Sequence, residues 1–421
     1  MSLPLRCLFV VVATLLAATP AAADPNRPNV LMIVGDDMAW TDFGFLGHEH
    51  VKTPNLDKLA QGGAVFPHGT VPTSLCRASL ATLLTGLYAH QHKICCNDPP
   101  KGVDRTQMLP FLKHAPTIPR WLGEKGGYVS FQTGKFWEGH FSNGGFTDGM
   151  TKTGRHGEEG LVIGRQTLQP IYDFLDKAGD KPWFVWYAPM MPHTPHNPPA
   201  KYLDRYTKAG LNERLAKYYA MCEWFDDTCG QLLDHLDRKK LRENTLVLYV
   251  TDNGWIQSTG APMAGEQFAT RSKNTPYDGG VRTPIVLNWP GKVRPGKFDD
   301  AVSTIDLLPT VLSACGVAPP ADLPGVDLYR VATGAAKLER PRVFGEIFLH
   351  DCVELGKPQL SLTHRWVREG KWKLIVPAAA DKPVELFDLA ADPHEKANLA
   401  DKEADRIAAL RKALDAWWTP R

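Results

Sequence analysis

Five stretches of the chain are apolar without alternation: NVLMIV at 29–34, YVSF at 128–131, WFVWY at 183–187, TLVLYV at 245–250 and PIVL at 284–287. A continuous apolar run of this length marks a strand buried on both faces, the habit of a parallel sheet. Between these runs the spacing becomes helical, over 80–87, 118–125, 163–175 and 213–236. Leu80, Leu83, Leu84 and Leu87 fall at i, i+3, i+4 and i+7, and Ser79 is placed to cap the first turn of their helix. Strands alternating with helices predict an α/β fold, a mostly parallel sheet flanked by helices. Two stretches, 141–160 and 254–274, lack apolar periodicity and read as long loops of the kind that carry function. After about residue 330 the pattern changes. RWVREGKWKLI (365–375) and ELFDL (385–389) predict antiparallel strands, and 404–418 predicts a closing amphipathic helix. The expected division is a larger domain over 24–330 and a smaller C-terminal α+β lobe over 331–421.

In a sheet of this kind ligands gather outside the carboxyl ends of the strands. Asp36 and Asp37, Lys135, His193, and Asp252 with Asn253 all follow predicted strands. An adjacent Asp pair is by itself a common solvated turn. Three carboxylates and an amide brought to one sheet edge repel one another unless a cation lies among them. All-oxygen donors suit a hard cation, Ca²⁺ or Mg²⁺, rather than Zn²⁺. Cys76 lies just ahead of the helix predicted over 80–87, where backbone N–H groups and the helix dipole favour negative charge. That place suits an activated nucleophile, an anion-binding position, or an ordinary buried cysteine.

Composition narrows the rest. The 421 residues are 43% hydrophobic and carry a formal charge of +2, so no strong field points to nucleic acid or an acidic membrane. Arg6, the apolar run 8–18 and Ala21-Ala22-Ala23 predict a signal peptide over 1–23, and hence a periplasmic or secreted mature chain with no stable membrane insertion. Of the eight cysteines, Cys7 falls in that segment. Export permits disulfides among Cys95, Cys96, Cys222, Cys229, Cys315 and Cys352, but spacing does not give the pairing. Cys222 and Cys229 share a predicted helix and stand about 10 Å apart along it, too far to bond each other.

The stretch VPTSLCRASLATLLTG, 71–86, resembles the signature of the formylglycine-dependent sulfatases of the alkaline-phosphatase-like superfamily. Cys76, Ser79, Thr85 and Gly86 are in register with it; Ala78 stands where the family has Pro, and Leu80 where it has Arg. The resemblance continues at TGKFWEGH, SKNTPYDGGVRTP and ELFDLAADPHEKANL, and covers nearly all the chain from Pro28. It implies that Asp36, Asp37, Asp252, Asn253 and the modified Cys76 hold Ca²⁺, and that Lys135, His193 and Lys273 contact the sulfate. The family's second histidine has no match by position; His140 is the nearest, with His196 a weaker companion of His193. Arg282 is expected to fix local structure. The implied reaction is hydrolysis of a sulfated polysaccharide or aryl ester. The formylglycine hydrate attacks sulfur, His193 with Lys273 protonates the departing alcohol, His140 takes the second hydroxyl's proton, and the aldehyde re-forms as sulfate leaves. A formylglycine-generating enzyme is the implied maturation partner. Two alternatives remain open from sequence: a phosphoester or phosphonate hydrolase of the same superfamily, and an inactive carbohydrate-binding relative with Cys76 unconverted.

Overall fold

The computed structural model describes residues 27–260 and 268–420. The expected signal peptide lies outside the described residues, as does part of the loop predicted over 254–274. No described helix is long and apolar enough to cross a membrane.

Among the described residues the main sheet has eight strands. Their order is Asp148–Gly149, Val129–Gly134, Trp183–Ala188, Asn29–Gly35, Thr245–Thr251, Ile285–Asn288, Ala64–Phe66 and Gly296–Lys297. The first five are mutually parallel. Both faces are covered, which explains the uninterrupted apolar runs. Val30, Met32 and Val34 turn toward helices Cys76–Thr85, Ile118–Gly126 and Leu307–Ala314. Leu31 and Ile33 turn toward Pro54–Gln61, Gln169–Ala178 and Glu213–Arg238.

The differences from expectation are local. Ile285–Asn288 runs antiparallel to Thr245–Thr251, so the sheet is mixed on that side. The helix expected over 163–175 begins only at Gln169. Before it, Gly164 takes a left-handed φ of 73° and its N–H bonds to the Thr167 carbonyl at 2.9 Å, closing a tight turn. The helix expected to follow Cys76 starts at Cys76 itself, with Leu75 at its N-cap. Ser79 therefore lies inside the first turn, and its hydroxyl caps nothing.

The second sheet is antiparallel, in the order Arg342–Phe348, Leu362–Glu369, Trp372–Pro377 and Glu385–Asp388. Helix Ala404–Trp417 covers one face, setting Leu410 and Leu414 on Val367, Leu374 and Leu386. The other face sets Trp366, Ile375 and Phe387 against Val71 and Val281 of the larger unit. Gly345 lies in this seam, where a Cβ would stand 2.2 Å from the Pro72 carbonyl oxygen and 2.3 Å from the Trp366 ring. Beside it, buried Lys373 bonds Asp278 at 2.8 Å and Glu395 at 2.9 Å. Asp278 begins the turn that follows Lys273, so the small sheet braces a segment of the site.

Candidate active site

The central strand Asn29–Gly35 lies between Trp183–Ala188 and Thr245–Thr251, all parallel, so the turns after them meet at one edge. Each turn is pinned to a neighbouring strand end. The Asp36 N–H donates to the Met191 carbonyl at 2.9 Å, Asp252 to Gly35 at 2.9 Å, and Lys135 to Ala188 at 2.6 Å. Gly134 permits the last approach: its φ is 74°, and a Cβ there would lie 2.0 Å from the Ala188 oxygen. Asp37 is also left-handed, with φ 62°, a conformation Asp tolerates better than most side chains.

These turns build a cluster of charges with almost no solvent contact. Lys135 Nζ lies 2.6 Å from Asp36 Oδ1 and 3.4 Å from Asp252 Oδ2. Lys273 Nζ donates to both Asp37 oxygens, at 2.6 and 2.7 Å. Asn253 Nδ2 donates to Asp37 Oδ1 at 2.6 Å, and the Asp37 N–H to Asp252 Oδ1 at 3.1 Å. Three carboxylates thus face two ammonium groups. Burial, with Asp36 beside it, pushes the Asp252 carboxyl up to about 7. Burial also raises Asp36, against the pull of Lys135. At Asp37 burial is overcome by Lys273, His193 and Lys135, which hold it below the usual carboxylate range. Asp36 Oδ2 is buried with no hydrogen-bond partner. An orphaned carboxylate oxygen, an excess of negative charge and an all-oxygen donor set fit a hard divalent cation.

Cys76 opens onto this cluster. Its Sγ lies 3.5 Å from Asn253 Oδ1, and ligand atoms of Asp36, Asp37 and Cys76 lie within 4.8 Å of one another. Burial pushes the thiol up to about 12, so the helix terminus does not make it a thiolate at neutral pH. A pocket of about 380 Å³ exposes Cys76, Asp37, Lys273 and His193 together. A larger hollow of about 800 Å³, by Phe45, Asp57 and Lys297, contains none of these residues.

His193 Nδ1 lies 2.7 Å from the Thr194 carbonyl oxygen, an acceptor, so Nδ1 carries the ring proton. Its Nε2 then keeps the lone pair, 3.5 Å from Asp37 Oδ2. Burial holds His193 down to about 4. His196 is likewise lowered to about 4, chiefly by burial, and lies against Tyr218 and Trp255.

The structure does not bring His140 to the pocket. It caps the short helix Phe141–Gly144 and bonds Ser142 at the surface. Another histidine occupies the pocket wall: His156, whose ring stands edge-on to Trp137 at 4.4 Å. Arg155 Nη1 lies 2.7 Å from His156 Nε2. Guanidinium only donates, so Nε2 accepts and Nδ1 bears the proton. Burial, with Lys135 and Arg155, keeps His156 down to about 3.

Arg155 also supplies a guanidinium to the pocket, held by Asp98 and stacked over Trp137 at 4.7 Å. Leu80, where the family pattern has Arg, is buried in the core. Arg77 faces away from the pocket and pairs with buried Glu138 at 2.7 and 2.8 Å. Arg282 donates to the Pro67 carbonyl and stacks on Trp40 at 3.7 Å, a structural role. Arg155 and His156 lie in a stretch without periodicity or motif; only its length marked it.

The sulfatase family model matches residues 28–317, and the model for the N-sulphoglucosamine sulphohydrolase C-terminal region matches 267–417. N-acetylgalactosamine-6-sulfatase of Canis lupus familiaris is 28% identical over 87% of this chain and 77% of its own. Arylsulfatase A of Homo sapiens is 26% identical, over 95% and 89%. Among solved structures, Ps i-CgsB shares the fold with a TM-score of 0.77 at 23% identity, over 94% of both chains. The phosphonate monoester hydrolase of Agrobacterium radiobacter shares it with a TM-score of 0.71 at 21% identity, over 92% of this chain and 95% of its own. With a sulfatase match spanning more than half its length, and the helix that begins at Cys76, the acidic turns and the paired lysines gathered at one sheet edge, the chain belongs to the sulfatase family and is a sulfatase of the alkaline-phosphatase-like superfamily.

Proposed function

We propose that this sulfatase hydrolyses sulfate esters of a sulfated carbohydrate, using formylglycine made from Cys76 and a divalent cation, Ca²⁺ by family resemblance. The observation that carries the reading is the meeting of Asp36, Asp37, Asp252 and Asn253 with Cys76 at the base of one pocket. Those residues would hold the cation. When present, the cation and the formylglycine hydrate supply an acidified hydroxyl as nucleophile, which a thiol pushed up to about 12 does not.

The chain's own residues account for the rest. Lys135 and Lys273, buried and held protonated by their carboxylates, offer fixed positive charge to a sulfate. Arg155 adds a guanidinium from the loop, in place of the one that Leu80 lacks. His156, protonated at Nδ1, is a donor on the pocket wall. His193, with Nε2 unprotonated at rest, would take the proton of the attacking hydroxyl and give it to the departing ester oxygen, and would then take the proton of the second hydroxyl as sulfate leaves. This distribution replaces the base role expected of His140.

Carbohydrate is favoured by the relatives. The dog relative is named N-acetylgalactosamine-6-sulfatase, and another relative, 24% identical over 93% of this chain and 80% of its own, is the ulvan-active sulfatase of Formosa agariphila. The same reading includes an exported enzyme, periplasmic or secreted, matured by a formylglycine-generating enzyme.

Mass spectrometry of the tryptic peptide carrying Cys76 tests it, together with turnover of an aryl sulfate and an aryl phosphonate. The expected result is an aldehyde at position 76, sulfate turnover that falls on chelation and returns with Ca²⁺, and weaker phosphonate turnover. An intact thiol in active protein, or a preference for phosphonate, overturns the reading.

A further inference from the structure

Three cysteines outside the active site meet at the joint between the two units. The sulfurs of Cys95, Cys96 and Cys352 lie within 4.8 Å of one another, with Cys95 and Cys96 3.4 Å apart. All three are buried free thiols. The segments that carry them are already laid side by side. Asp98 and Asp351 form a parallel bridge, the Asn97 N–H donates to the His350 carbonyl at 2.9 Å, and the Cys352 N–H donates to the Asp98 carbonyl at 2.9 Å. Asn97 and His350, adjoining these cysteines, line the catalytic pocket.

We propose that Cys352 forms a disulfide with one of the vicinal pair, Cys95 or Cys96, clasping the C-terminal unit to the pocket wall. Two chemistries suit three converging thiols, and charge decides between them. A soft cation such as Cu(I) would need thiolates. Three thiolates around a single positive charge leave two negative charges in a site lined by Leu75, Ala78, Met108 and Phe348. Arg77, the cation nearby, is committed to Glu138. A disulfide is neutral and suits that apolar lining. Reaching a bond of about 2.05 Å from within 4.8 Å lies in the sweep of a χ1 rotation, because the backbones are already hydrogen-bonded.

The reaction is thiol–disulfide exchange with a disulfide oxidant, small or protein-borne, as the chain folds. While the chain folds and the site is still open to the oxidant, Cys352 attacks as its thiolate. It bonds to one oxidant sulfur and expels the other as a thiol. The sulfur of Cys95 or Cys96 then attacks Cys352, releasing the second oxidant thiol. Two protein thiols lose two electrons and two protons, and the oxidant's disulfide gains them. The closed loop spans roughly 250 residues, the range in which cross-linking constrains the unfolded chain most.

The test uses the full-length protein equilibrated with oxidised and reduced glutathione, then unfolded, alkylated without reductant and digested with trypsin. Peptides 94–101 and 343–365 are expected joined, two hydrogens lighter than their sum, with one of the three cysteines alkylated. Reductant should lower the melting midpoint of the parent protein by several degrees and leave Cys352→Ser unmoved. Separate peptides with all three cysteines alkylated overturn the proposal. So does a vicinal Cys95–Cys96 bond with Cys352 alkylated, or stoichiometric copper or zinc that is lost in Cys352→Ser. An equal response of both proteins to reductant would also end it.

Discussion

At the scale of single residues, two histidines separate sequence distance from spatial distance. His140 follows Lys135 by five positions yet stands at the surface, because the chain turns outward into Phe141–Gly144. His193 lies far away in sequence and points its open Nε2 at Asp37. His193→Gln should therefore lower kcat by about 10²–10⁴, whereas His140→Gln should stay within about twofold of the parent. Steady-state kinetics on an aryl sulfate measures both. Asp36, Asp37, Lys135, His193, Asp252 and Asn253 were legible because strand ends in a parallel sheet share one edge, a rule that operates before any side chain is placed. His156 and Arg155 were not legible. Their approach depends on how a loop folds back over the strand ends, and no periodicity encodes that path.

At the scale of elements, the helix Cys76–Thr85 is buried on every side, including its charged residue. Arg77 and Glu138, 2% and 3% exposed, join this helix to the segment after Lys135. Glu138→Ala would leave the guanidinium uncompensated and should cost about 3–5 kcal/mol of unfolding free energy, measured by denaturant titration. Behind the same helix, His92 Nδ1 accepts from the Ile94 N–H at 3.1 Å, while Nε2 lies 3.1 Å from Thr82 Oγ1. That arrangement needs a neutral ring, and burial holds its pKa down to about 3 against an ordinary 6.5. The unfolded chain binds the proton first, so the contribution of His92 is complete above pH 6.5. It declines by about 1.4 kcal/mol per unit as pH falls from 6.5 toward 3. His92→Asn should flatten the acid limb of a stability-against-pH profile by about one proton. The pattern placed this helix by its leucines and misplaced its start, since Leu80, Leu83 and Leu84 report the core face and are silent on the first turn. Strand direction escaped for a related reason: Ile285–Asn288 is as apolar as its parallel neighbours because burial, which both senses share, sets composition.

At the scale of the whole molecule, the first sheet is mixed and covered on both faces, whereas the second, which begins at Arg342, is antiparallel with a helix on one face. What composition did not reveal is how closely the second sheet presses on the first unit. Gly345→Ala should cost about 1–3 kcal/mol, the usual toll of overpacking, because the new methyl meets the Pro72 carbonyl and the Trp366 ring. It should also reduce kcat, although Gly345 is outside the pocket, through displacement of the braced segment that bears Lys273. Thermal melts and aryl sulfate kinetics on one preparation check both effects.

The buried knot of Lys373, Asp278 and Glu395 ties the small sheet to the segment that follows Lys273, so the sheet is a brace rather than an appendage. Swinging the two units apart would break this network of three charges and open the apolar seam of Trp366, Ile375 and Phe387 to water, so the cleft does not work as a jaw that bites down on its substrate. Selectivity must then be exercised by a fixed mouth. New preferences among sulfate esters would arise by redrawing the rim around Arg155 and His156, leaving the keel beneath it untouched.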